Sequence, residues 1–333
     1  MTSSSPKTFD VVGIGNAIVD VLVQTEEGFL DDHGLTKGTM ALVNESQAEQ
    51  LYASLGPGLE TSGGSAANTL AGLAQLGGQA GFIGRVRNDQ LGAIFAHDIR
   101  SVGAHYDTPA AESGPSTARC LILVTPDAQR TMCTYLGASV NLHPNDLDLD
   151  LVRQAKVLYL EGYLWDSDEA KQAFIAAAEV MRESGGEVAL SLSDAFCVDR
   201  HRDSFQELVD GHVDILFANE MEITSLYKTN TFEEAVDQVR GRCKVAALTR
   251  SESGSLVLSG DHTLPIAPFH LGPLLDTTGA GDLYAAGFLY GYTKGDGLER
   301  CGRLGSLCAG QVVTQLGPRP HASLRELVAH HLP

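Results

Sequence analysis

Asp276-Thr277-Thr278-Gly279-Ala280-Gly281-Asp282 runs straight into Leu283, Tyr284, Ala285, Ala286, Gly287, Phe288 and Leu289. The apolar run has the composition of a buried helix, although Gly287 lowers its propensity. Two glycines separated by one alanine leave backbone N–H groups bare of side chains. A glycine turn that opens a helix aims unsatisfied N–H groups and the positive end of the dipole at one place. A phosphate, or a phosphoryl group in transit, would be stabilised there. Asp282 falls in the first helical turn as a carboxylate able to accept a proton from an attacking hydroxyl. The same residues also suit a plainer arrangement, in which Asp276 and Asp282 cap a helix and the glycines only turn the chain.

A chain of 333 residues is long enough for two ordinary domains or one large α/β domain with an appendage. Its apolar fraction of 43%, with 36 glycines, is that of a folded enzyme rather than a disordered chain. The net charge of −19 repels nucleic acid and anionic membranes, so neither is expected as a partner. Cys120, Cys133, Cys197, Cys243, Cys301 and Cys308 are scattered without zinc-ligand or disulfide spacing. Met1 to Lys7 is polar and lacks the apolar core of a signal peptide, and no apolar run is long enough to span a membrane. A reduced, cytoplasmic protein is expected.

The whole Asp276–Asp282 string resembles the C-terminal signature of the ribokinase-like (PfkB) family of carbohydrate and nucleoside kinases. By that resemblance Asp282 is the catalytic base. Gly279, Ala280 and Gly281 supply an anion hole, with Thr277 beside the nucleotide. Upstream, Ser62-Gly63-Gly64-Ser65-Ala66-Ala67-Asn68-Thr69 leads into a helix that stops at Gly77-Gly78. Together with Gly84, Asp89 and Gly92 it resembles the family's N-terminal signature, which makes Gly63-Gly64 a conformational switch and sets Asn68 on the sugar. Its spelling is nearer to adenosine kinases than to ribokinases. Gly13-x-Gly15 suggests a dinucleotide fingerprint, but Ile18 stands where the third glycine belongs, and Ile18-Val19 reads as strand. Gly15-Asn16-Ala17-Ile18-Val19-Asp20 instead resembles the first-strand motif of adenosine kinases. That places Asn16 and Asp20 at the substrate, and a carboxylate has lone pairs enough for the two hydroxyls of a ribose.

Two segments read as strands set apart from the main sheet, Lys37 to Val43 and about Ala104 to Ala138, with turns at Gly114-Pro115 and Pro126-Asp127-Ala128. From Asn141 onward strands alternate with helices, as in a mostly parallel sheet. The family implication is an α/β three-layer sandwich with a small β-sheet lid. The expected division is an unstructured start at 1–9, a large nucleotide-binding domain of 10–23, 51–103 and 139–333, and a lid of 24–50 and 104–138. Arg130 matches a lid arginine aimed at phosphate, with Leu136 and Ala138 near the substrate. A surface hairpin arginine is the plainer alternative. Asn219 and Glu222 fit an N-x-x-E motif tied to Mg²⁺ through water, or else a capped helix. Thr249 to Gly254 fits a nucleotide-binding turn in which Ser251 replaces the first glycine. Asp276 and Thr278 could belong to a K⁺ site. Tyr163, Trp165 or Phe196 could wall the substrate.

The expected activity is transfer of the γ-phosphoryl of Mg-ATP to the 5′-hydroxyl of a nucleoside, adenosine first. A sugar such as ribose or fructose and a non-catalytic regulatory protein are the alternatives. A sugar phosphate would want more cations beside the sugar, and only Arg130 and Arg119 offer themselves. The resemblance favours a monomer over a dimer.

Overall fold

The structure, a computed structural model, describes residues 7–127 and 129–332. Its strands there are, in chain order, β1 (Phe9–Ile14), β2 (Ile18–Gln24), β3 (Met40–Leu42), β4 (Leu59–Gly63), β5 (Ala80–Ile83), β6 (Ala118–Val124), β7 (Arg130–Tyr135), β8 (Ala155–Glu161), β9 (Glu187–Ser191), β10 (Ile215–Asn219), β11 (Val245–Thr249), β12 (Ser255–Ser259) and β13 (His262–Ile266). Eight of them form one sheet in the order β13-β12-β11-β10-β9-β8-β1-β5, parallel from β11 to β5 and antiparallel at the β12 and β13 edge. Side chains alternate across it, because successive residues of a strand point to opposite faces. Val11, Val157, Tyr159 and Val245 join one apolar core with Leu70 and Phe288. Val12, Leu158, Leu160 and Ala246 join a second with Phe174 and Phe205. Helices cover both faces, giving three layers, as the resemblance implies.

The smaller sheet runs β3-β7-β6-β2-β4. The expected division had assigned 10–23 and 51–103 to the large domain, yet β2 and β4 pair here, while β1 and β5 stay in the larger sheet. The physical reason is that a half-buried strand shows the same apolar alternation in either sheet, so periodicity cannot assign it. Of the expected unstructured start, residues 1–6 lie outside the described residues and Phe9 already pairs in β1. Ala128, in the expected turn after Pro126, also lies outside them. Val19, Val21 and Val23 of β2 point into the first core. Ile18 and Leu22, on the other face, cluster with Cys120, Ile122, Met132 and Leu136. Asp20 shares that second face and looks into the cleft between the sheets.

Helix Ser65–Leu76 ends on Gly77 in the left-handed region, φ 95°, as a C-terminal glycine should. It packs against helix Ala280–Lys294 beneath the cleft. Gly287 of that second helix, a weak point by propensity, permits close packing. A Cβ there would meet the Leu304 carbonyl of helix Leu298–Val312 at 2.4 Å, closer than such atoms approach. Among the described residues no helix is long and apolar enough to cross a membrane, and all six cysteines are unpaired.

Candidate active site

Helix Ala280–Lys294 begins at Gly279, which has φ 79° and no side-chain cap. A Cβ on Gly279 would collide with Pro318. Ala280 spends its N–H on the Thr277 carbonyl at 3.1 Å. This corrects the expectation that all three residues of the Gly-Ala-Gly run offer donors. Among the described residues, the N–H groups of Gly279, Gly281 and Asp282 have no acceptor. They are available for an anion at the positive end of the helix. Asp282, in the first turn, accepts from Ser65 Oγ at 2.6 Å through Oδ1 and from Asn68 Nδ2 at 3.1 Å through Oδ2. Burial raises its pKa to about 6, opposed by those two donors and by the Arg319 guanidinium. Such a carboxylate is ionised at neutral pH yet close enough to take up a proton.

Asp20 stands across the cleft. Among the described residues no group donates a hydrogen bond to its carboxylate, so its lone pairs are unused. Burial first, and then the Asp282 charge, push it up to about 7, against Arg319 and Arg130. The carboxylate lies over Gly63, where any Cβ would strike it. Gly64 has φ 97°, and a side chain there would run into the Asn16 carbonyl. The paired glycines are therefore required by geometry between β4 and helix Ser65–Leu76. Asn16 is buried and engaged: Nδ2 donates to Glu161 Oε1 at 2.7 Å, and Oδ1 accepts from Ser139 Oγ at 2.7 Å. Glu161 Oε2 accepts from the Ala66 N–H at 2.8 Å. Asn16 thus braces the floor of the cleft through Glu161, itself raised to about 7 by burial.

Arg130 reaches from β7 to form an ion pair with Asp276, and its side chain is 9% exposed. That places it at the anion hole, not on a hairpin surface. Among the described residues its guanidinium has no partner of good hydrogen-bond geometry. Asp276 Oδ1 accepts from the Thr278 N–H and Oγ1, and Oδ2 accepts from the Gly317 N–H at 2.9 Å. With Arg130 on the same oxygen, Asp276 is already served by a cation, so the residues present do not fit a K⁺ ligand set.

Glu222 and Asn219 form a reciprocal cap at the start of helix Glu220–Tyr227. Burial, then Asp194 and Asp282, raise Glu222 to about 7. No cluster of three or more acidic, His or Cys groups able to cage a metal occurs among the described residues. Carboxylates that face one another across a gap, without a cage, fit Mg²⁺ held through its own water. Thr249 ends β11, and the Arg250 N–H closes the following turn on the Gly254 carbonyl at 2.8 Å. Gly254 has φ 81°, with the Ile266 carbonyl where a Cβ would be.

The aromatic wall is narrower than expected. Trp165 is buried, stacked on Phe205 and tilted against Phe174, with Nε1 donating to Ser204 Oγ; it belongs to the core. Tyr163 is 40% exposed and feels Asp194 and Asp282, while Phe196 is 73% exposed beyond β9. Leu136 packs on the cleft face of the small sheet, and Ala138 is buried just after it. Arg119 is turned away: it lies between the Tyr52 and Tyr135 rings with Nη2 on Ser116 Oγ. Four functional positions escaped the sequence reading, namely Ser62, Ser65, Glu161 and Arg319. Ser62 and Ser65 both stand inside the Ser62–Thr69 stretch. Arg319, between Pro318 and Pro320, carries no local signal.

The geometry bears comparison with known proteins. Residues 57–324 match the pfkB family of carbohydrate kinases. The chain is 26% identical to the adenosine kinase of Saccharomyces cerevisiae, over 93% of this chain and 96% of that protein. Among solved structures, an adenosine kinase from Sinorhizobium meliloti is 50% identical, with a TM-score of 0.89 over 97% of this chain and 99% of that one. A probable sugar kinase from Rhizobium etli CFN 42 is likewise 50% identical, with a TM-score of 0.90 over 97% and 98%. A family match covering most of the chain accounts for the layers and the small sheet together: this chain belongs to the pfkB family of carbohydrate kinases and is a phosphotransferase with an alcohol group as acceptor.

Proposed function

We propose that the chain transfers the γ-phosphoryl group of ATP to the 5′-hydroxyl of a nucleoside, adenosine before others. The observation that carries this is the opposition of two carboxylates with different surroundings. Asp282 is fixed by Ser65 and Asn68 beside unspent N–H donors, whereas Asp20 faces the same cleft with no donor. Asp20 suits the vicinal hydroxyls of a ribose, and Asp282 accepts the proton of the hydroxyl that attacks. The N–H groups of Gly279 and Gly281 and the Arg130 guanidinium receive the charge of the moving phosphoryl. Mg²⁺, when bound, neutralises phosphate charge, and Glu222 with Asp194 would hold it through water.

A purine base is favoured over a second phosphate by the cleft face of the small sheet, where Ile18, Ile122, Met132 and Leu136 are apolar. The likeness to the Sinorhizobium meliloti adenosine kinase supports the same reading. A sugar acceptor is the second reading, favoured by the equal likeness to a probable sugar kinase. ADP release from Mg-ATP across adenosine, inosine, guanosine, ribose, fructose and fructose 6-phosphate separates the two. Turnover on adenosine that Asp282→Asn abolishes is expected. Turnover on a sugar alone would replace the acceptor and keep the chemistry.

A further inference from the structure

We propose that Arg319 is a positioning residue that orients the Asn68 amide, and through it the Asp282 carboxylate, while holding both to the small sheet across the Gly63-Gly64 junction. The inference rests on the reading of Asp282 as the base. Arg319 Nε donates to Asn68 Oδ1 at 2.9 Å, and its Nη2 donates to Ser62 Oγ at 2.9 Å. Ser62 lies in β4 on one side of the paired glycines, and Asn68 lies in helix Ser65–Leu76 on the other. One planar guanidinium therefore spans the junction at two points fixed relative to each other.

The chain of donors has a definite sense. Ser62 donates its Oγ–H and N–H to Asp98 Oδ2, at 2.6 and 2.7 Å, which leaves a Ser62 lone pair for Arg319. An amide has one oxygen and one NH₂ group. With Arg319 on the oxygen of Asn68, the NH₂ must point at Asp282, where it lies 3.1 Å from Oδ2. Without the guanidinium, only the single 3.1 Å contact with Asp282 itself keeps the amide from turning over. The loop carrying Arg319 is tied down on both sides. Gln315 Nε2 donates to the Arg319 carbonyl at 2.5 Å, and Gln315 Oε1 accepts from the His321 N–H at 2.9 Å. The charge matters too, since Asp20 and Asp282 share the cleft and Arg319 opposes the protonation of both. The other groups that sense Asp282 are Tyr159, Glu161, Tyr163 and Glu222, and none of them is a cation.

The test measures steady-state kinetics against pH with whichever acceptor of the panel turns over, for Arg319→Gln, Arg319→Lys, Asn68→Ala and the double variant Arg319→Gln/Asn68→Ala. Arg319→Gln is expected to lower kcat about 10²-fold with KM for ATP changed less than about 3-fold. The acid limb of kcat/KM should move up by about one pH unit. The double variant should lose little beyond Asn68→Ala alone, because both act through one amide. Arg319→Lys keeps the charge and loses the fork, so its limb should stay while kcat still falls. Wild-type kcat with an unmoved limb in Arg319→Gln, or losses fully additive with Asn68→Ala, would overturn the proposal. Should Arg319→Gln fail to fold, wild-type kcat in Arg319→Lys overturns it by itself. Asp282→Asn is run alongside. Full turnover there would defeat the base assignment, whereas a dead Asp282→Asn beside a normal Arg319→Gln defeats the arginine alone.

Discussion

Asp282 and Glu161 are both raised by burial, and their neighbours give them different work. Asp282 has two side-chain donors and room for a substrate proton. As the proposed base it must be ionised to act, so kcat/KM should fall about tenfold per pH unit once the pH drops below about 6. A pH–rate profile of wild type reads this directly. Glu161 accepts three N–H bonds, from Ala66 and twice from Asn16, and is sealed from solvent. Glu161→Gln would set an NH₂ group against one of those donors. A loss of about 1–3 kcal/mol by urea unfolding is expected. Folded Glu161 titrates near 7, above the 4.5 of a free glutamate. Folding therefore binds a proton between those values, so its contribution to stability declines as pH rises from about 4.5 to 7 and is level above that. The placement of Asp282, Asp20 and the glycines around one cleft was legible in the sequence, because a glycine turn opening a helix and the paired glycines admit few residue types. Arg319 was not, since it meets Asn68 across 251 residues and an arginine near a chain's end suits countless surfaces.

Turns and helix starts show how element geometry selects residues. Ser251 adopts φ 48°, a left-handed conformation in which a side chain is strained, at the position where a glycine was expected from the resemblance. Ser251→Gly should therefore stabilise the protein by about 0.5–1 kcal/mol, the relief of strain exceeding the added freedom of the unfolded chain. A thermal melt of that variant checks it, and an unchanged or lower Tm counts against the strain. Strands β8 to β11 alternate with helices after Asn141 as expected, since short apolar runs bounded by turns are explicit in sequence. What sequence alone could not say was which sheet β2 and β4 would join. That choice depends on Gly63-Gly64 and on the Asp89 carboxylate, which accepts from Thr117 Oγ1 at 2.6 Å and so pins the start of β6.

At the scale of the whole molecule, the net charge of −19 opposes the approach of an anionic nucleotide. On the proposed reading, local donors at Gly279, Gly281 and Arg130 hold ATP within that field. Added salt screens the long-range repulsion more than the short contacts. The value of kcat/KM for ATP should accordingly rise between about 10 and 150 mM ionic strength, a range over which the screening length shrinks from about 30 to 8 Å. A rate that falls steadily over that range would mean that local attraction dominates the encounter.

The packing of helix Ala280–Lys294 on helix Ser65–Leu76 also governs how the protein comes into being. Ser65 and Asn68, the donors that hold Asp282, precede it by 217 and 214 residues. At synthesis rates of 5–20 residues per second, a ribosome takes roughly 10–40 s to join them. Throughout that interval the nascent chain carries Asp20 and the paired glycines but neither Asp282 nor the Gly279 turn. On the proposed reading its chemistry arrives late and all at once, so an unfinished copy would not turn over ATP.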